Sequence, residues 1–121
     1  MATMIFLSPG ICTLADLESL SAGYVHERID EFTLQLTRNE KNIRCELEKT
    51  ALDFVLEDAL LDHLAAMGIP EVNTLINIDY TLAAAPDALM LAKQLLATYG
   101  GGIYLDDHLY TRATIHTLGE G

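Results

Sequence analysis

Apolar and polar positions along the 121-residue chain recur with two different periods, and the switches between them predict its elements. The opening run "MIFL", closed by "SPG", reads as a short buried strand followed by a turn. In "TLAD", Thr13 stands three residues before Asp16, the spacing of a helix-capping pair, and Leu14, Leu17, Leu20, Tyr24 and Val25 continue at helical spacing. Helix one is therefore expected over about 14 to 29, with a disturbance at Gly23. The period then changes to two. Phe32, Leu34 and Leu36 alternate with Thr33, Gln35 and Thr37, and Ile43, Cys45 and Leu47 alternate with Arg44, Glu46 and Glu48. The polar "NEKN" between them joins the two strands as a hairpin.

Thr50 and Asp53 repeat the capping spacing, and Gly68 with Pro70 stops the element they begin, so helix two is expected over about 51 to 67. Leu52, Val55, Leu56, Ala59, Leu60, His63 and Met67 gather on its core side. The opposite side carries a narrower apolar stripe, Phe54, Leu61 and Ala65, edged by Asp53 and Glu57 and by Asp58 and Asp62. A further strand follows in "VNTLINIDY". Pro86 then suits the first turn of a third helix, whose apolar face is Ala88, Leu91, Ala92, Leu95 and Tyr99. Gly100 is expected to end that helix in the left-handed conformation, and Gly101 and Gly102 to allow a sharp reversal into the strand "GIYL". "LYTRATIHTL" either adds a strand or trails along the sheet edge.

The resulting order is β-α-β-β-α-β followed by α-β. The first six elements fit a ferredoxin-like split unit with both helices on one face of an antiparallel sheet, in an α+β fold with an additional C-terminal α-β unit. The length and the half-hydrophobic composition fit a single globular domain over 1–121.

Charge narrows the functional classes. The net charge is −11, and after Thr50 the cations are Lys93 and Arg112 against ten carboxylates. Such a field repels nucleic-acid phosphates and anionic membranes and attracts basic partners. The opening "MATMIFLSPG" has no basic start and too short an apolar run for a signal peptide, and no segment has the roughly 20 apolar residues of a membrane span. A cytoplasmic protein is expected, with Cys12 and Cys45 reduced.

Candidate chemistry is sparse. The turn "SPGICT" between strand and helix lacks the lysine and the glycine spacing with which backbone amides cradle phosphates. Cys12, just before a helix, has no identifiable His partner, and Cys45 reads as a core residue. Asp106, Asp107, His108 and His116 supply oxygen and nitrogen donors, with His63 or His26 able to complete a shell across the fold, but their spacing matches no ligand motif. Adjacent aspartates on a strand also point to opposite faces. His63 fits a core histidine as well as a ligand. No catalytic residue, cofactor or metal is expected.

The ending, an amphipathic "ALMLAKQLLATYGG" running into "GIYLDD", resembles small acidic bacterial immunity proteins that neutralise secreted or contact-delivered toxins. The resemblance covers the C-terminal third and implies a non-catalytic protein that binds a cognate, basic toxin and blocks its active site or substrate access. The residues singled out for that contact are Phe54, Glu57, Asp58, Leu61 and Asp62 on helix two, and Tyr104, Asp106, Asp107 and Tyr110 beyond the third helix. Apolar anchors ringed by charge suit protein docking. The stripe on helix two is equally open to being covered by another part of the chain. The alternative function is a ferredoxin-like homodimeric small-ligand sensor or small enzyme, using the same stripe for self-association.

Overall fold

The N-terminal apolar run lies in the interior of a sheet rather than at its rim. A computed structural model describes residues 2–47, 62, 65, 66, 73–105, 108–112, 114 and 115. β1 (Ala2–Ser8) leads into helix α1 (Leu14–Leu20), then β2 (Val25–Arg28), β3 (Thr33–Arg38) and β4 (Lys41–Leu47). After these come β5 (Thr74–Tyr80), a single 3-10 turn (Leu82–Ala84), helix α2 (Ala85–Tyr99), β6 (Gly102–Leu105) and β7 (His108–Tyr110). Asp62, Ala65 and Ala66, the described residues of the helix expected over 51 to 67, are helical and exposed.

The described strands form one sheet in the order β2-β3-β4-β5-β1-β6-β7, with every neighbouring pair antiparallel. This differs from the pairing expected of the first six elements. A split unit built from them would seat β1 directly beside β4, but β5 stands between the two. Its composition explains the position: "TLINIDY" is buried along most of its length and pairs with β1 over seven residues and with β4 over five.

One face of the sheet carries the core. Met4, Phe6, Leu34, Leu36, Ile43, Cys45, Ile76, Ile78 and Ile103 face α1 and α2, which bury Leu14, Leu17, Ala88, Leu91, Ala92, Leu95 and Leu96 against them. Cross-strand registers such as Met4↔Ile78, Ile78↔Cys45 and Cys45↔Leu34 carry this apolar row from strand to strand. The opposite face is polar over β3 and β4, while Leu7, Leu75 and Leu109 are buried on it.

Helix one is shorter than its periodicity predicts. Thr13 and Asp16 form the expected reciprocal cap, but the helix stops at Leu20, where the Ser21 hydroxyl turns back onto the Leu17 carbonyl and Gly23 takes a positive φ of 97°. Val25, expected on the helix, instead begins the edge strand β2, and its side chain is exposed. The hairpin loop is also tighter than "NEKN". Asn39 and Glu40 alone make the turn, both with positive φ, the backbone that matches a two-residue turn to the twist of its strands.

The glycines after α2 are needed, though not in the way expected. Gly100 pairs a φ of 72° with a ψ of −167°, outside the left-handed helical region and in one essentially restricted to glycine. Gly101, with φ 99°, runs so close to β1 that a Cβ there would lie 2.0 Å from the Leu7 carbonyl oxygen. No helix among the described residues is long and apolar enough to cross a membrane.

Candidate functional site

The tight β3–β4 turn sets Arg38 directly opposite Lys41, two residues along the strands from the Leu36↔Ile43 pair and on the same face. Both cations therefore sit on the core side of the sheet, at its end. The first turn of α2 brings Asp87 to meet them, with Arg38 Nη2 3.5 Å from Oδ1 and Lys41 Nζ 3.9 Å from Oδ2. The Arg38 guanidinium also lies over the Tyr24 ring, 4.6 Å from its centre. Burial and the Asp87 carboxylate raise the Tyr24 phenol above its ordinary pKa, while Arg38 acts the other way.

Arg38, Asp87 and Tyr24 border a cleft of about 170 Å³ between the end of α1, β3, β4 and α2. Its walls mix apolar side chains (Leu20, Leu36, Ile43, Met90, Leu91) with Ser21, Tyr24, Arg38, Asp87 and Gln94. The Asp87 side chain is only 9% exposed. Its Oδ2 has no hydrogen-bond partner among the described residues. A buried carboxylate normally has its oxygens satisfied, and the Tyr24 hydroxyl is the neighbouring side-chain donor to the Asp87 carboxylate.

The rim of the cleft is braced by His26. Its Nε2 lies 2.9 Å from the Ser21 carbonyl oxygen and 3.0 Å from Ser21 Oγ. A carbonyl can only accept, so Nε2 carries the proton, and the imidazole holds the turn between α1 and β2. On the other face, Gln35, Asn42, Arg44, Asp79 and Thr81 line a polar hollow, in which Arg44 Nε donates to Gln35 and the Thr3 hydroxyl donates to Asp79.

The residues expected to contact a partner are not all on one surface. Tyr104 is registered opposite Leu109 and Tyr110 opposite Ile103, so the two tyrosines point to opposite faces of the β6–β7 pair. Tyr110 packs at the border of the core and meets His108 edge-on at 6.3 Å between ring centres. Asp62 and Ala65 are exposed. Phe54, Glu57, Asp58, Leu61, Asp106 and Asp107 lie outside the described residues, as do His63 and His116.

No group of three or more potential ligands that could hold a metal occurs among the described residues. Both cysteines are free and buried. Burial pushes the Cys12 thiol up to about 11 and the Cys45 thiol up to about 12, so at neutral pH neither supplies a thiolate. Tyr99, beside Cys12, is likewise raised to about 12, chiefly by burial.

Sequence reasoning missed the Asp87 cleft. Its signal was present in Arg38 and Lys41, two cations flanking a two-residue turn, but their partner lies 49 positions away from Arg38 at a helix start, where an acid has an ordinary capping role. Comparison with known proteins found no matching family model, no matching curated protein and no matching solved structure.

Proposed function

We propose that this protein is a non-catalytic binding domain, an immunity-type inhibitor that captures a cognate basic bacterial toxin in the cytoplasm. The observation that carries this reading is the exposure of helical Ala65, a member of the apolar stripe expected from Phe54, Leu61 and Ala65, and of Asp62, one of the acids, with Glu57 and Asp58, expected to edge it. The net charge of −11, concentrated after Thr50, supplies the long-range attraction for a basic partner. Tyr104, Asp106, Asp107 and Tyr110 form the second candidate contact. The opposite directions of the two tyrosines favour the tip of this segment over either flat face.

The architecture supports a ferredoxin-like reading with a changed assignment of elements. β1, α1, β4, β5, α2 and β6 follow one another in the chain, and their strands lie in the order β4-β5-β1-β6, which is the split order. β2 and β3 extend that core at one edge and β7 at the other.

The test is capture of the tagged protein from its native cells, washed first at low and then at high salt. A stoichiometric protein that survives the high-salt wash is then expressed alone and together with this chain. Toxicity relieved by co-expression supports the inhibitor reading. A retained partner that is harmless alone, or recovery of the bait by itself from cells expressing their toxins, counts against it.

A further inference from the structure

β2 ends the described sheet on one side, with β3 as its single neighbour there. Ile29, just past the strand, donates its N–H to the Thr33 carbonyl oxygen at 2.9 Å. Bonded pairs alternate along an antiparallel ladder, so Glu27↔Gln35 and Val25↔Thr37 bond inward as well. The N–H and C=O groups of His26 and Arg28 therefore point away from β3, where no described strand meets them. They are the donors and acceptors that a further strand would use.

The side chains decide what that strand carries. His26 and Arg28 lie opposite Leu36 and Leu34 on the helix-covered face, where His26 holds Ser21 and Arg28 is paired with Glu18. Val25, Glu27 and Ile29 lie on the other face. Val25 is 70% and Ile29 48% exposed, so two open apolar side chains flank one carboxylate. Glu27 is exposed, stands opposite the uncharged Gln35 and has no ion pair among the described residues. A second copy fits this edge poorly. Two-fold pairing that sets Val25 against Ile29 of the other copy also sets Glu27 against Glu27 at the closest approach, between two chains of net charge −11. A strand with a cation opposite Glu27 removes that repulsion and is drawn in by the same field.

We propose that β2 takes up an extended basic segment of a partner protein as a further antiparallel strand. Lys or Arg of that segment stands opposite Glu27, apolar residues stand opposite Val25 and Ile29, and the backbones of His26 and Arg28 supply the hydrogen bonds. This edge is distinct from the stripe expected over 51 to 67, and no toxin is needed to test it.

The experiment is an NMR titration of the full isotope-labelled chain with disulfide-closed β-hairpin peptides whose outer strand reads Val-Thr-Lys-Thr-Val or Val-Thr-Glu-Thr-Val. The lysine hairpin should shift the His26 and Arg28 amides saturably and slow their hydrogen exchange. It should bind at least about three-fold tighter than the glutamate hairpin, the factor for one cross-strand charge pair. Glu27→Lys should reverse that order. Val25→Thr with Ile29→Thr, both at exposed positions, should weaken binding while the spectrum stays folded. N-methylation of the two outer-strand threonines, which removes the donors facing β2, should abolish it. The proposal is overturned if neither hairpin shifts these amides through the millimolar range, or if the lysine, glutamate and N-methylated hairpins bind alike. It is also overturned if the two amides shift with protein concentration alone, the mark of a second copy on the edge.

Discussion

Arg38 and Asp87 meet at 3.5 Å, at the outer limit of hydrogen bonding, although the carboxylate is almost fully buried and the guanidinium is 44% exposed. Lys41 stands as a second, looser partner at 3.9 Å. Two half-exposed cations thus share the task of keeping one buried negative charge compensated. Removing one should be tolerated. We expect Arg38→Met to cost less than about 1 kcal/mol, as for exposed ion pairs. Arg38→Met with Lys41→Met should cost about 2 kcal/mol or more, since the carboxylate is then stranded. Adding Asp87→Asn to that double variant should recover most of the loss. Urea denaturation of these four proteins and of Lys41→Met alone checks this, and simple additivity of two small single effects would refute the shared arrangement.

Gly101 and Gly23 both have positive φ, but only Gly101 is pressed against another strand. At Gly23 a Cβ would meet nothing within 4 Å, so Gly23→Ala carries only the backbone penalty of about 1 kcal/mol. At Gly101 the added carbon collides with the Leu7 carbonyl and the Ser8 Cα, forcing β6 away from β1. Gly101→Ala should cost at least about 3 kcal/mol. Equal melting temperatures for the two variants would show that β6 can move away without loss.

Alkaline pH should destabilise the fold through its two thiols and Tyr99. The Cys12 thiol rises from its ordinary 9.0 to about 11, Cys45 from 9.0 to about 12, and Tyr99 from 10.0 to about 12. Each group is raised in the folded chain because burial disfavours its anion. The folded state therefore holds more protons than the unfolded one above pH 9. The stabilisation is complete below about pH 9 and is lost as pH climbs through the folded values. Denaturant midpoints measured from pH 8 upward should fall steadily beyond pH 9, and Cys12→Ala with Cys45→Ala should flatten the first part of that decline. Thiol labelling at pH 7 should likewise be slow until the chain is unfolded.

Much of the fold could be read from local chemistry. The Thr13–Asp16 cap, the alternation through Ile43 and Cys45, and the bracketing of α2 by Pro86 and Gly100 each depend on neighbours in sequence, and each is where it was expected. β2 was hidden for the opposite reason. Val25, His26, Glu27 and Arg28 carry no buried apolar face, and their strand exists through backbone pairing with β3, a long-range partner that periodicity does not register. The strand order escaped for a similar reason, since nothing local to "TLINIDY" tells whether it pairs with β4, with β1 or with both. The cleft was illegible because it depends on all three: the end of α1 at Ser21, the register that opposes Arg38 to Lys41, and the docking of α2 over β3 and β4.

The apolar stripe expected on the helix over 51 to 67 yields the most direct test of partner binding. If Phe54 and Leu61 anchor a basic partner while Glu57, Asp58 and Asp62 steer it, the two kinds of residue should affect different rates. Electrostatic steering acts on association and weakens with salt, whereas desolvated apolar contact governs how long the complex lasts. Asp58→Lys with Asp62→Lys should slow association with the captured partner at low ionic strength and flatten its salt dependence, with little change in dissociation. Phe54→Ala should leave association almost unaltered and speed dissociation, with a loss of about 2 kcal/mol or more if Phe54 occupies the centre of the contact. Surface-binding kinetics across a range of salt concentrations separate the two effects. If both variants associate and dissociate like the parent protein, the stripe is not the docking surface, and the β6–β7 tip with Asp106 and Asp107 becomes the segment to alter.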